Sequence, residues 1–289
     1  MKYPIAPEFF PYSMFIPPLN KLTLPSSNLI LRHAPCFSDE ALVVRRFCIP
    51  YTKGNDVLYM RVLSPHGAGI DTPCLLYFHG GGFMLRASWH HARLVREYAK
   101  RVGCHVALPE YRLAPAHPWP AAEEDAMLAF DWLKEQGCAS IAVGGDSAGG
   151  WLSAVVAQQC RQVRELRFQM LIYPVVDRHA DNDSMRRFTD TPMWNSRLHE
   201  LMWRYFIPET SPMEAESFAG LAPAYIETAE FDCLHDEGVA YADALRAAGV
   251  PVELHETAAT MHGYDIVDTP ITQASMTRRV EALQRALFI

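Results

Sequence analysis

Short apolar runs rich in β-branched and aromatic residues alternate along the chain with longer segments whose apolar positions recur at helical spacing. Ala41 to Pro50 and Asp56 to Pro65 read as two strands joined by the turn-forming Lys53-Gly54-Asn55, which predicts an antiparallel hairpin at a sheet edge. Six further strands are predicted: Pro73 to His79, Cys104 to Pro109, Ser140 to Gly144, Phe168 to Val176, Ala224 to Ala229 and Val250 to Glu256. Helical segments lie between most of them, at Trp89 to Arg101, Ala121 to Gln136, Gly149 to Arg161 and Asp236 to Ala248. A closing helix runs from about Ile271 to Leu287. Such alternation requires crossover connections, and so predicts an α/β fold with a mainly parallel sheet of about eight strands covered on both faces. Ligands of such sheets bind beyond the carboxyl ends of the strands.

Two stretches break the alternation. Residues 1–40 are rich in proline and aromatics (Phe9, Phe10, Tyr12, Phe15, Pro17, Pro18). Residues 178–215 place polar residues and then Met193, Trp194, Leu201, Met202, Trp203, Tyr205 and Phe206 where a plain crossover would be far shorter. Both are expected to form a lid on a single domain spanning residues 1–289; an ordinary surface excursion is the alternative for the first, whereas the aromatics of the second need something to cover.

Composition narrows the function. At 289 residues and 49% hydrophobic content the chain can bury a large core. The net charge of -7 is spread without a basic block, so no nucleic-acid partner is expected. The seven cysteines are odd in number and widely spaced with no C-x-x-C, which fits buried free thiols in a reducing compartment better than a disulfide framework or zinc site. The first residues lack the apolar core of a signal peptide and no later run is long enough to span a bilayer, so a cytoplasmic protein without membrane insertion is expected. Adjacent His90 and His91 would point to different helix faces, which argues against a metal pair.

The chemistry concentrates in Gly145-Asp146-Ser147-Ala148-Gly149, a G-x-S-x-G between the strand Ile141 to Gly144 and the helical run from Trp151. Strand, sharp turn and helix are the context in which this motif presents a nucleophilic serine, here Ser147. His79-Gly80-Gly81-Gly82-Phe83 follows another predicted strand. Its glycines let backbone N–H groups approach an acyl oxygen, so Gly81, Gly82 and Ala148 are the expected oxyanion donors. A phosphate-cradling loop is the alternative for those glycines, but no G-K-[ST] and no ribose-binding acid accompany them. His79 precedes the nucleophile and is expected to brace the loop. His262, in a small loop after the last strand, is the better base. Asp232, at the end of the strand before it, completes the order Ser147, Asp232, His262. Asp236 is the nearby rival acid, expected instead to cap the following helix.

These motifs resemble the hormone-sensitive-lipase-like family of α/β hydrolases, particularly its bacterial short-chain carboxylesterases. The likeness covers roughly residues 40–289. It rests on His79–Gly82, Gly145–Gly150, Tyr111-Arg112-Leu113-Ala114-Pro115 followed by His117-Pro118-Trp119-Pro120, the turn at Asp232, and His262-Gly263. It implies the α/β-hydrolase fold, the triad Ser147, Asp232 and His262, oxyanion donors Gly81, Gly82 and Ala148, and a lid built from the N-terminus and an insertion before the acid. No cofactor and no metal are implied. Glu110, Cys233 and Trp151 depart from the family pattern without touching the triad.

A short-chain ester is thus the expected substrate, cleaved through an acyl-enzyme. An amide-cleaving relative such as an aryl-formamidase would use the same residues. A non-catalytic small-molecule receptor on this scaffold would lack the histidine, and a lipase would favour a large exposed apolar lid. Assembly as a homodimer is left open.

Overall fold

The computed structural model describes residues 2–12, 14–17, 19–31, 36–52 and 54–288. Pro18 and Lys53, named above in the first aromatic stretch and the hairpin turn, lie outside these residues. The described residues form an eight-stranded sheet in the order β1-β2-β4-β3-β5-β6-β7-β8. The hairpin is β1 (Leu42–Pro50) and β2 (Val57–Pro65), paired antiparallel from Leu42 with Pro65 to Pro50 with Val57. β2 also runs antiparallel to β4 (His105–Pro109), while β3 (Cys74–Phe78), β5 (Ile141–Asp146), β6 (Leu166–Ile172), β7 (Ala224–Phe231) and β8 (Val252–Met261) continue the sheet in parallel. β3 and β5 are buried at every position, as strands covered on both faces must be, so their sequences run apolar instead of alternating.

The helices are α1 (Leu24–Leu31), α2 (Trp89–Val102), α3 (Ala121–Glu135), α4 (Ala148–Gln159), α5 (Asp183–Arg187), α6 (Ser196–Phe206), α7 (His235–Ala247) and α8 (Pro270–Leu287). α4 is the central one, with every residue from Ala148 to Ala157 buried.

Two strand ends differ from the sequence reading by more than two residues. β6 stops at Ile172 rather than Val176, because Tyr173 turns to φ +33° and Pro174 has no N–H to continue the ladder. β8 runs five residues past Glu256 to Met261, so His262 follows the strand end directly. The second aromatic stretch holds α5 and α6. It meets the first through the Met193 N–H donated to the Phe15 carbonyl at 2.7 Å and through Lys2 and Tyr3, which both donate to Asp190.

Candidate active site

The turn between β5 and α4 carries Ser147 at φ +53°, ψ -118°, a strained conformation for a residue with a Cβ. Its amide donates to the Ile172 carbonyl at 2.9 Å, and its carbonyl accepts from Gly150 and Val175. The turn is tight enough that a Cβ on Gly149 would stand 1.9 Å from the Phe78 oxygen, which is why glycine is needed there.

Asp232 and His262 arrive from the ends of β7 and β8. His262 Nδ1–H donates to Asp232 Oδ2 at 2.7 Å, and Asp232 Oδ1 accepts the Leu234 amide at 3.0 Å. With Nδ1 carrying the proton, Nε2 is free to accept from Ser147 Oγ–H at 3.0 Å. The three side chains that the sequence selected therefore form one hydrogen-bonded chain, and all three are buried. Asp236 is no part of it. It does not cap α7 either, since Leu234 occupies that position; its carboxylate instead accepts the Ser184 amide at the start of α5.

Gly81 (φ +121°) and Gly82 (φ +60°) leave β3 in backbone conformations that a side chain resists. Among the described residues, the Gly81, Gly82 and Ala148 amides donate to no protein acceptor, so all three remain available to an oxyanion. His79 braces this loop. It donates from Nδ1 to the Gly80 carbonyl at 2.7 Å and stacks on Tyr111 at 4.4 Å, while Tyr111 donates to the His79 carbonyl. Burial, aided by His91, lowers its pKa to about 3, so it stays neutral.

The sequence reading gave Asp146 and His91 no role at this site; His91 was weighed only with His90 as a metal pair. Asp146 accepts from Tyr77 OH at 2.8 Å, from the Gly80 amide at 3.1 Å and from His91 Nε2 at 3.1 Å. His91 Nδ1 accepts the Ser88 amide, which fixes the proton on Nε2. Burial alone would push the Asp146 carboxyl up, but His91 holds it down at about 2. The acidic residue inside the motif was the available signal; the fold alone reveals its partners.

Trp151, a departure from the family pattern, donates its indole N–H to Glu123 at 2.7 Å. Its ring lies edge-on to Phe83 and Phe206 and 5.6 Å from Trp203. Phe83 and Phe206 stack 3.7 Å apart. Trp194 lies 6.0 Å from His262, and a Cβ on Gly82 would meet its ring at 2.7 Å. Ser147 is accordingly only 3% exposed. A groove of about 1610 Å³ elsewhere, along Tyr111–His117 and the β1–β2 hairpin, does not include the serine. The hydrogen-bonded chain and the free amides mark the site more specifically than cavity size does.

Residues 75–266 match the family described as alpha/beta hydrolase fold. The chain belongs to that family. Among curated relatives, esterase LipI of Mycobacterium tuberculosis is 38% identical over 67% of this chain; the chain spans 66% of LipI, just under two thirds of its length. An ethyl acetate hydrolase of Pseudomonas putida is 33% identical over 87% of this chain and 83% of its own. The solved structure of a bacterial heroin esterase superposes with a TM-score of 0.89 at 30% identity, covering 99% of both chains.

Proposed function

We propose that this chain is a serine carboxylesterase acting on small, short-chain acyl esters. The observation that carries the reading is the chain Ser147 Oγ–His262–Asp232, at 3.0 and 2.7 Å, beside three unengaged amides. His262 takes the Ser147 proton as Oγ attacks the ester carbonyl, and Asp232 holds the imidazole in the required tautomer and balances its charge. The Gly81, Gly82 and Ala148 amides receive the oxyanion. His262 then protonates the departing alcohol, and water repeats the sequence on the acyl-enzyme. The relatives named esterase and ethyl acetate hydrolase support the ester over the amide as substrate.

Residues 1–40 and 178–215 act as a lid within one domain spanning 1–289, a role supported by Trp194 beside His262 and Gly82. The seven free cysteines, five of them buried, support a reducing, cytoplasmic setting. No helix among the described residues is long and apolar enough to cross a membrane.

The test compares p-nitrophenyl butyrate with the matched p-nitroanilide, using the native protein and Ser147→Ala. Ester turnover should exceed amide turnover and vanish in the variant, since loss of a triad serine removes about six decades of kcat. A fluorophosphonate should label Ser147. Normal ester turnover by a folded Ser147→Ala protein would remove the assignment.

A further inference from the structure

His199 lies on α6 with Trp203 and Phe206, whose rings pack against Trp151 and Phe83. It is 3% exposed, and neither ring nitrogen has a hydrogen-bond partner among the described residues. Trp203 meets it edge-on at 4.9 Å. Burial first, and then the charge of His262, lowers its pKa to about 3. The ring is therefore neutral, with one N–H donor and one acceptor nitrogen. A buried imidazole that bonds nothing is costly where phenylalanine or leucine would line the same wall without penalty. The segment that carries it reaches the Ser147 site on both sides of His199, through Trp194, 6.0 Å from His262, and through Trp203, 5.6 Å from Trp151 on the helix that begins after Ser147; within it the two ring nitrogens have no structural bond to make.

We propose that His199 reads the substrate, exchanging a hydrogen bond with a neutral hydroxyl on the acyl or alcohol portion of the ester, so that hydroxylated short esters are favoured over their alkyl counterparts. The inference rests on the ester-hydrolase reading of Ser147. A hydroxyl suits a neutral ring that both donates and accepts. A carboxylate would lose its hydration among the rings of Trp203, Trp151, Phe206 and Phe83.

The experiment uses two pairs of esters in which a hydroxyl replaces a methyl of similar size. These are p-nitrophenyl 3-hydroxybutyrate against 3-methylbutyrate, and 2-hydroxypropyl acetate against 2-methylpropyl acetate. After division by the alkaline hydrolysis rates, the native protein should favour the hydroxylated member of at least one pair by about tenfold or more in kcat/KM. His199→Phe should bring that ratio close to one, the loss falling more heavily on the hydroxylated ester, and His199→Gln should retain part of the preference. A packing role alone would alter both members alike. Ratios near one in both pairs for the native protein overturn the proposal, whether or not the variants fold. An unchanged preference in folded His199→Phe also overturns it. Turnover of every ester without hydroxyl preference removes only the role of His199, whereas no ester turnover at all removes the Ser147 reading and this inference with it.

Discussion

Asp146 accepts the Gly80 amide at 3.1 Å, tying the residue before Ser147 to the loop that carries Gly81 and Gly82. The Ser147 turn and the Gly81–Gly82 loop follow different strands, and this bond ties one to the other. The same carboxylate holds Tyr77 and His91, so its removal strands three buried donors. Asp146→Ala should lower the unfolding free energy by about 3 kcal/mol or more. Asp146→Asn, similar in shape, should fold but lower kcat more than it raises KM, because the amides are displaced from where the oxyanion forms. Urea midpoints with steady-state kinetics check this; native kinetics in folded Asp146→Asn would show that the tie is dispensable.

Trp151 joins α4, the helix that follows Ser147, to the aromatic residues of α6. Its indole N–H on Glu123 satisfies a buried carboxyl group whose pKa burial raises against the effect of that hydrogen bond. Trp151→Ala should cost about 3–5 kcal/mol through the void it leaves. Trp151→Phe keeps most of the packing but leaves the carboxyl group unbonded, so it should cost about 1–3 kcal/mol. Chemical denaturation orders the two variants, and equal stability of Trp151→Phe and native protein would mean that the Glu123 bond contributes nothing.

The meeting of Ser147, Asp232 and His262 was legible because strand ends in a parallel sheet converge, so position after a strand serves as a spatial coordinate. The glycine loop was legible because the positive φ at Gly81 and Gly82 needs glycine. Asp146 and His91 were not, since 55 residues separate them and only the crossover between β3 and β4 brings α2 beside the nucleophile turn. His199 was hidden among the aromatics of its segment, where periodicity gives a buried face but not the absence of a polar partner. The end of β8 was missed because alternating polar residues from Glu253 to Glu256 read as the close of a strand that in fact continues at the sheet edge.

On the proposed reading, the packed rings of Phe83, Phe206, Trp151 and Trp203 wall a confined acyl pocket rather than an open groove. Each acyl CH₂ buried in such a pocket gains about 0.8 kcal/mol until the space is filled, after which added carbons clash. Across p-nitrophenyl esters of rising acyl length, kcat/KM should climb over the first few carbons and then drop sharply. Phe206→Ala should move the optimum to longer chains. Equal efficiency on short and long esters by the native protein would contradict confinement and favour a lipase.

Stability should fall in mild acid for reasons separate from catalysis. His79 and His199 are both buried and neutral, each with a pKa of about 3 in the folded chain against 6.5 unfolded. The unfolded chain therefore binds protons that the folded chain refuses as pH drops below about 6.5. Their stabilising effect is complete above that pH and is lost progressively down to about 3, at up to about 1.4 kcal/mol per pH unit for each ring. Asp146, held at about 2, acts in the same direction, but only below its unfolded value of 3.8. The urea midpoint should accordingly decline between pH 7.5 and 5, before the carboxylates contribute. His199→Phe should decline less steeply over the same range, because one of the two rings no longer titrates on unfolding. A native midpoint that is flat from pH 7.5 to 5 would mean that neither histidine is held neutral by burial. An equally steep decline in His199→Phe would clear His199 and leave His79 as the acid-sensitive group.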